Sequence, residues 1–306
     1  MATPAPYRRC RPSRRAGLRR CRKLRNRRAR TSSVDVGIRA AIGPSLTDQW
    51  HDPAGRLVRQ ADVGELLAGI AALAKDRDIP THVHSHISEG STKAHLEFFH
   101  RTQTARLQNA GLLSERCIVM HAGWLNDDDI AAFGSARVRA NHNSVGNAML
   151  GFGTVRAGSV LRLLTAGVPI VLGSDFAPFN ISTPLETMRA TLLLHRDLFA
   201  ADNALTLEQA LAMATNGSAV LGRTGQPGVI AVGRRADLIL VDITGPHHLG
   251  VDHPVPALAL HGRAADVTTV IVDGRVVIDQ RRLVGIDEHE ITEAARRALD
   301  IVAHHG

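Results

Sequence analysis

The chain has 306 residues, of which 44% are apolar and 3% aromatic, so it is long enough to bury a substantial core in one or two domains. No apolar stretch approaches the ~20 residues that cross a bilayer. The three cysteines, Cys10, Cys21 and Cys117, are too few and too widely spaced for a disulfide framework. These features argue against a membrane-spanning protein and a disulfide-rich secreted domain, and we expect a cytoplasmic location.

The net charge of +8 is unevenly distributed along the chain. Residues 1–34 hold thirteen Lys and Arg and no acidic residue, whereas acidic side chains outnumber basic ones by five in the rest. This Arg-rich head has almost no apolar periodicity, so we predict that it is disordered. It is interpreted as a leader or non-native coding sequence, which we favour, as a transit peptide, or as a nucleic-acid-binding arm, since clustered Arg neutralises phosphates.

From Val34 onward, strand patterns alternate with helical patterns, as in a parallel α/β sheet. The predicted strands are residues 34–46, 79–86, 116–123, 136–143 and 168–178, and the predicted helices are residues 56–77, 91–110, 126–135, 158–167, 183–200 and 206–222. Residues 35–224 thus contain about five strand–helix units, whereas a closed (β/α)8 TIM-type barrel typically needs eight strands and ~250 residues. We predict an α/β fold with an incomplete barrel of this type.

Beyond residue 225 the pattern changes to short strands separated by glycine turns, at 228–243 and 268–284. This pattern predicts a small β-sandwich-like module over residues 225–284. The last segment, residues 285–306, contains an amphipathic stretch that predicts a helix, with Asp287 and Glu290 spaced as a capping pair.

Four consecutive predicted strands end in a side chain that can bind a metal: His86, His121, His142 and Asp175. A single His at a strand end is usually a packing residue, but the carboxyl ends of parallel strands meet at one edge of the sheet. Neutral imidazole and carboxylate groups are ligands that suit zinc or iron(II). The four residues therefore predict one shared metal site. Glu89 lies close to His86 and is placed to transfer protons to and from a metal-bound water, although a carboxylate in a first helical turn is also explained by the helix dipole.

The stretch THVHSH places His82, His84 and His86 on one face of an extended strand. His86 lies nearest the carboxyl end of that strand and is the predicted ligand. His82 and His84 are interpreted as packing residues deeper in the barrel, because inward positions of a small barrel are filled as core.

Six motifs occur in a fixed order along the chain: HISE (86–89), MHAGWLNDDDI (120–130), NHNSVGNAMLGFG (141–153), LLTAGVPIVLGSD (163–175), ATNGSAVLG (214–222) and GVIAVGRRADLILVD (228–242). With these motifs the chain from about residue 35 to its end resembles the amidohydrolase superfamily. It is most similar to the branch of S-adenosylhomocysteine deaminase, guanine deaminase and the triazine hydrolases. The resemblance implies a single divalent metal cofactor, with zinc the first expectation and iron the second.

The resemblance also implies a role for each site residue. His86 and Asp175 are the implied metal ligands, joined by His121, which contacts the attacking water or the substrate. Glu89 is the implied proton shuttle and Asp175 the implied general base. His142 matches the His of a His-x-Pro-x-Ser-Asn motif in this family and, with Asn147, is implied to bind the substrate.

The sequence departs from the family pattern at two places. Ser144 replaces the Pro of the His-x-Pro-x-Ser-Asn motif, and Gly146 replaces its Ser. The His-x-His of the first barrel strand, which supplies two metal ligands in the family, has no counterpart before residue 82. We therefore expect an N-terminally truncated family member that lacks three barrel strands and half of the small β-sandwich. The apolar edges left by missing strands predict aggregation or pairing into a homo-oligomer.

The resemblance implies a metal-dependent hydrolase that cleaves a non-peptide C–N bond of a small heterocyclic substrate, by deamination of a cyclic amidine or heteroaromatic amine. Dechlorination stays open as the other reaction of this branch. The first alternative is a catalytically impaired fragment of the family that holds no stoichiometric metal. The second alternative, less favoured, is a nucleic-acid-binding protein that uses the basic head.

Overall fold

The computed structural model describes residues 49–51, 57–60, 64–175, 183–215, 217 and 228–305. The chain divides into two compact units, residues 61–284 and residues 1–60 with 285–306. The strands are β1 (Gln49–His51), β2 (Leu57–Gln60), β3 (Thr81–Ser85), β4 (Cys117–His121), β5 (Arg139–His142), β6 (Ile170–Leu172), β7 (Leu238–Val241), β8 (Val267–Val272), β9 (Arg275–Asp279) and β10 (Arg282–Leu283). The helices are α1 (Gly64–Arg77), α2 (Glu89–Phe99), α3 (Gln103–Asn109), α4 (Asp127–Ala136), α5 (Ser144–Met149), α6 (Ser159–Thr165), α7 (Pro184–Leu198), α8 (Leu207–Thr215), α9 (Pro254–Pro256) and α10 (Glu288–His305).

Strands β3, β4, β5 and β6 form a parallel sheet in chain order. Their registers align Val83 with Val119, Val119 with Ala140 and Ala140 with Ile170, so one face carries an apolar row. Parallel strands need crossover connections, and helices supply them here. The predicted α/β fold with a parallel sheet is confirmed. Within the described ranges this sheet has four strands and does not close into a barrel, so the barrel and its incompleteness stay predictions.

The hydrophobic core lies on one face of the parallel sheet. Phe133 of α4, Leu163 of α6, Met188 of α7 and Met213 of α8 are all at least 98% buried and pack with the apolar row of the strands. Each such side chain contributes about 1.5–3 kcal/mol to the hydrophobic stabilisation of the fold.

The other face of the sheet is open at β3, where the side chains of His82 and His84 are exposed. The prediction that these two histidines are packing residues is therefore wrong. The physical reason is that the four described strands do not close into a barrel. Side chains on this face of β3 are therefore not enclosed by other strands, and an inward position is not a core position here.

The structure differs from the predicted elements at three places. The predicted helix 91–110 is two helices, α2 and α3, because His100 adopts a left-handed conformation (φ 53°) and Thr102 caps the second helix by accepting from the Ala105 N–H. The start of the predicted helix 56–77 is instead strand β2, and helix α5 was not predicted. The predicted strand 34–46, the Arg-rich head and the stretch 218–222 lie outside the described residues.

Strands β7 to β10 form an antiparallel sheet in the order β10-β9-β8-β7. The turn between β8 and β9 is Asp273-Gly274, with φ values of 53° and 78°, the left-handed pair that a tight two-residue hairpin requires. The β-sandwich-like interpretation of this region stays a prediction. Helix α10 agrees with the predicted C-terminal helix, and Asp287 caps it by accepting from the His289 and Glu290 N–H groups at 2.8 and 3.3 Å. Among the helices described, each is too short or too polar to cross a bilayer.

Candidate functional site

Strand β4 delivers His121 to the carboxyl edge of the parallel sheet. His121 and the following Ala122 both have left-handed backbones, with φ values of 70° and 45°. Two successive residues of this kind turn the chain sharply, at a cost of order 1–3 kcal/mol each, and such strain collects at functional sites. The His121 imidazole is 3% exposed and lies against the ring of Phe152, edge to face.

Hydrogen bonds determine which nitrogen of His121 carries the proton. His121 Nδ1 lies 2.8 Å from Asn147 Oδ1, and Asn147 Nδ2 donates to Thr154 Oγ1 at 3.0 Å. Because the amide nitrogen of Asn147 is committed to Thr154, its oxygen faces the imidazole, and Nδ1–H of His121 donates to it. The lone pair of His121 is therefore on Nε2, which lies 3.3 Å from His84 Nδ1.

His84 brings a second imidazole to the same place from the open face of β3. Its ring centroid is 5.1 Å from that of His121. The pKa of His84 is lowered, first by partial burial and then by the neighbouring His121, while Asp175 opposes this shift. His84 is therefore neutral near pH 7, with one nitrogen lone pair available for a ligand.

Asp175 follows β6 with a left-handed backbone (φ 65°) and packs against Gly146 of α5. A Cβ on Gly146 would lie 2.7 Å from Asp175 Cβ and 3.0 Å from Asp175 Oδ2, so only glycine leaves room for this carboxylate. This explains in physical terms why glycine suits the position where the family motif has serine. Helix α5 contacts His121 through Asn147 and Asp175 through Gly146. We call this group the strand-end cluster: His84, His121, Asn147, Gly146 and Asp175.

His86 is not brought into the strand-end cluster. Its left-handed backbone (φ 54°) rotates the side chain off the open face, and it is fully buried. His86 Nδ1 lies 3.1 Å from the Trp124 carbonyl oxygen, and Nε2 lies 3.0 Å from Thr104 Oγ1. Both nitrogens are therefore engaged within the protein, and Asp129 Oδ2 lies 4.0 Å from Nε2. The metal-ligand role of His86 stays a prediction that this conformation does not support.

Glu89 begins α2 at the protein surface. Its carboxylate pairs with Lys93 Nζ at 2.8 Å and with an Arg156 guanidinium nitrogen at 3.6 Å. The hydrogen bond and charge of Lys93 lower the pKa of Glu89, with a smaller contribution from Arg156. At neutral pH this carboxylate is ionised and accepts protons. Its role as proton shuttle stays a prediction.

His142 ends β5 on the helix-covered face of the sheet and is 1% exposed. Neither ring nitrogen has a hydrogen-bond partner among the described residues, and the ring lies 5.5 Å from that of His195. Burial, then His195 and His121, lower the pKa of His142 to about 3, so the ring is neutral. A side chain this deeply buried does not reach a substrate in this conformation, and its substrate-binding role stays a prediction.

Two functional candidates were missed by the sequence analysis. His84 was assigned to packing, although its position two residues before His86 carried the same strand periodicity. His195 lies in the middle of α7, donates from Nδ1 to the Thr191 carbonyl oxygen at 2.7 Å, and has no motif around it that points to a site. Asn147 orients His121 in this structure, and its substrate-binding role stays a prediction.

The chain is similar to proteins that are named as deaminases. It is 33% identical over 222 residues to the 5'-deoxyadenosine deaminase of Methanosarcina acetivorans, which covers 72% of this chain and 50% of the relative. It is 31% identical over 271 residues to the 5-methylthioadenosine/S-adenosylhomocysteine deaminase of Syntrophobacter fumaroxidans, which covers 86% of this chain and 61% of the relative. The chain thus spans about half to two thirds of the length of these relatives.

Solved structures with the same fold include two zinc-bound enzymes. A variant of atrazine chlorohydrolase from Arthrobacter aurescens, complexed with zinc and atraton, superposes with a TM-score of 0.71 at 26% identity, covering 82% of this chain and 57% of that one. An adenosine deaminase from Xanthomonas campestris with bound zinc has a TM-score of 0.71 at 24% identity, covering 79% of this chain and 55% of that one, which shows the fold alone. The resemblance inferred from the six sequence motifs is confirmed. Residues 18–277 match the amidohydrolase family, and the chain belongs to that family.

Proposed function

We propose that this chain is a metal-dependent hydrolase that deaminates a heteroaromatic amine, and that the strand-end cluster is its metal site. The observation that carries the proposal is the orientation of His121, whose Nδ1–H is held by Asn147 so that the Nε2 lone pair faces His84 beside Asp175. Ligand histidines in metal sites are oriented by such a hydrogen bond from the other ring nitrogen.

The two imidazoles of the strand-end cluster are spaced to share a zinc ion. His84 Nδ1 and His121 Nε2 are 3.3 Å apart, which matches the separation of about 3.3 Å between two ligands of a tetrahedral zinc with bonds of 2.0–2.1 Å. Asp175 would complete a set of two histidines and one carboxylate with an open fourth position, as in catalytic zinc sites. In this structure its carboxylate and the two imidazole nitrogens do not all lie within 4.8 Å of one another, so binding a zinc would require the Asp175 side chain to move toward the histidines. The zinc in the atrazine chlorohydrolase structure supports this metal, with iron(II) as the other candidate.

The unsatisfied amides beside the cluster support a polar ligand at this edge of the sheet. Asn141 Oδ1 and both side-chain polar atoms of Asn143 have no hydrogen-bond partner among the described residues, although both side chains are buried and pack against Gly173. A buried polar atom without a partner costs about 1–3 kcal/mol, so such a group calls for a partner that binds there.

The proposed substrates are adenine nucleosides such as 5'-deoxyadenosine, the class that the names of the relatives specify. A divalent metal, when bound, lowers the pKa of a coordinated water toward neutrality. The Asp175 carboxylate accepts the proton that the water loses, a new C–O bond forms at the ring carbon, and the exocyclic C–N bond breaks to release ammonia. Glu89, ionised at rest by Lys93, would take up a proton from solvent, deliver it to the ring nitrogen, and recover a proton from the new hydroxyl group as the carbonyl forms. The proton held by Asp175 would pass to the departing amine, which leaves as ammonia.

A family member without catalytic activity is the second candidate. It is favoured by His86, whose two nitrogens are engaged by Trp124 and Thr104, and by Glu89, whose carboxylate is held by Lys93. The two candidates differ in whether the purified chain holds a metal and releases ammonia.

The test measures zinc content by mass spectrometry and ammonia release from 5'-deoxyadenosine on the same preparations. We expect deamination in the wild type. In His84→Asn we expect the zinc content to fall by one ion per chain and ammonia release to be lost, whereas the matched control His82→Asn, which is exposed on the same strand, should keep the wild-type zinc content and activity. A fall of one zinc per chain in His86→Ala with no fall in His84→Asn would assign the site to His86 instead. A wild type without ammonia release, whose zinc content is the same in His84→Asn, would support the inactive candidate.

A further inference from the structure

Two histidines and an aspartate converge in the connection between β7 and β8, a place that the deaminase proposal does not use. The connection contains two short 3₁₀ turns, Pro246–His248 and Ala264–Asp266, and the last residues of these turns face each other. His247 Nε2 lies 3.0 Å from Asp266 Oδ2, and His248 Nε2 lies 3.2 Å from the same oxygen. The two imidazole rings are 4.1 Å apart.

Asp266 Oδ2 is surrounded by more hydrogen-bond donors than it has lone pairs. Oδ2 accepts from both Nε2 atoms and also from the Arg263 N–H at 2.8 Å, although a carboxylate oxygen has two lone pairs for three donors. Burial raises the pKa of Asp266, but the hydrogen bonds from His247, Arg263 and His248 outweigh that effect and lower it overall. A cation bound by the three side chains would remove the crowding at Oδ2, because each imidazole would then present a nitrogen lone pair to the cation and no longer an N–H group to the carboxylate.

We propose that His247, His248 and Asp266 form a second divalent metal site, of the zinc class, that is separate from the strand-end cluster. One ligand atom from each residue lies within 4.8 Å of the other two. The contacts of 3.0 and 3.2 Å are close to the separation of about 3.3 Å expected between ligands of a tetrahedral zinc. Two neutral imidazoles and one carboxylate are the donors that zinc prefers over calcium or magnesium.

Access to this second site is one-sided, as a site with an open position requires. The side chains of His248 and Asp266 are 1% and 9% exposed, whereas His247 is 22% exposed and forms the rim. The fourth position lies on the side of His247, where water reaches it. The ring of His261 lies 6.4 Å from that of His248, centroid to centroid. A metal here would join the two ends of the loop that precedes β8.

The test counts zinc in the full chain after chelation and dialysis against Zn²⁺. It uses the His121→Asn background, in which the strand-end cluster is disabled. We expect His121→Asn to keep one zinc per chain, and His121→Asn with His247→Gln to keep none. The matched control is His121→Asn with His253→Gln, since His253 is exposed in the same connection and outside the group; it should keep one.

Cobalt(II) provides a second measurement that does not depend on counting. Visible absorption typical of tetrahedral cobalt should develop in His121→Asn and be absent when His247→Gln is added, with unchanged circular dichroism showing that both fold. Equal zinc content with and without His247→Gln would overturn the second site. Failure of the deaminase proposal has a different outcome, because the wild type would then hold one zinc that His121→Asn retains and His247→Gln alone removes.

Discussion

The carboxyl edge of the parallel sheet presents two pairs of histidines that have opposite surroundings. His84 and His121 lie toward the open face, with nitrogen atoms 3.3 Å apart and a carboxylate nearby. His86 and His142 lie on the helix-covered face and are fully or almost fully buried. All four residues end, or nearly end, a strand, so position along a strand does not distinguish a ligand from a buried side chain. The direction of the side chain does.

Backbone conformation produces this difference. The left-handed residue at His86 turns its imidazole into the layer of α3 and α4, whereas the left-handed residue at His121 turns its imidazole toward β3. Both arrangements cost backbone strain. Both ring nitrogens of His86 contact protein oxygens, whereas the Nε2 lone pair of His121 faces only the imidazole of His84. Variants at Asp175, Asn147, Gly146 and His142 test this contrast, with expected effects that decrease in that order.

Asp175→Asn should have the largest effect, because it removes both a proposed ligand and the proposed general base. We expect kcat/KM for 5'-deoxyadenosine to fall by ~10²–10⁴-fold, the range of a lost acid–base group. The control is Asp202→Asn, an exposed residue in the loop between α7 and α8, which should keep wild-type activity. An Asp175→Asn enzyme with unchanged kcat would remove Asp175 from the mechanism.

Asn147→Ala should weaken zinc binding at the strand-end cluster by ~10–100-fold, since it frees the His121 ring that the amide now orients. The dissociation constant is measured by competition with a chelator. Asn109→Ala, at the exposed end of α3, should leave the constant unchanged. Asn147→Asp keeps an oxygen that accepts from His121 Nδ1–H, so its zinc dissociation constant should lie between those of Asn147→Ala and the control. Equal affinity in Asn147→Ala and wild type would show that the tautomer of His121 does not depend on this contact.

Gly146→Ala should destabilise the fold and displace Asp175, because the new methyl group would lie 2.7 Å from Asp175 Cβ. We expect a loss of about 1–3 kcal/mol in the free energy of unfolding, as for other overpacked sites. Urea denaturation measures it. Gly69→Ala is the matched control: it lies within α1 with open space around its Cβ position, so it should gain about 0.5–1 kcal/mol. A stabilised Gly146→Ala would contradict the packing of Asp175 on this helix.

His142→Leu tests the buried pair through the pH dependence of stability. The folded-state pKa of about 3 lies below the value of 6.5 for a free histidine, so the unfolded state binds more protons below pH 6.5. The contribution of His142 to stability is complete above that pH and is lost as the pH falls toward 3. Removing it should reduce the slope of unfolding free energy against pH, between pH 6 and 5, by about 1 kcal/mol per pH unit.

Urea denaturation at several pH values measures this slope. The exposed His289→Gln variant should keep the wild-type slope. An unchanged slope in His142→Leu would mean that His142 binds protons equally well in the folded and unfolded states. His142 would then be accessible to water, as His84 is, and not buried.

Local patterns were sufficient to predict much of the fold. Apolar runs and alternation predicted β3, β4, β5 and β6, and the amphipathic pattern at the end of the chain predicted α10. Where two local preferences competed, prediction failed: the continuous helix over 91–110 is broken at His100, because a left-handed residue and the cap at Thr102 end one helix and begin another. The family could also be predicted, because the six motifs and their order along the chain are read directly from the sequence.

The order of residues along the chain is enough to identify the chemical groups at the carboxyl edge, His86, His121, His142 and Asp175, and the strand that each follows. The tertiary structure decided which groups meet, for a physical reason that no strand periodicity contains. One left-handed φ angle at a strand end redirects an imidazole from one face of the sheet to the other. Contacts between distant segments, such as Asn147 with His121 and Gly146 with Asp175, then hold the side chains that remain on the open face.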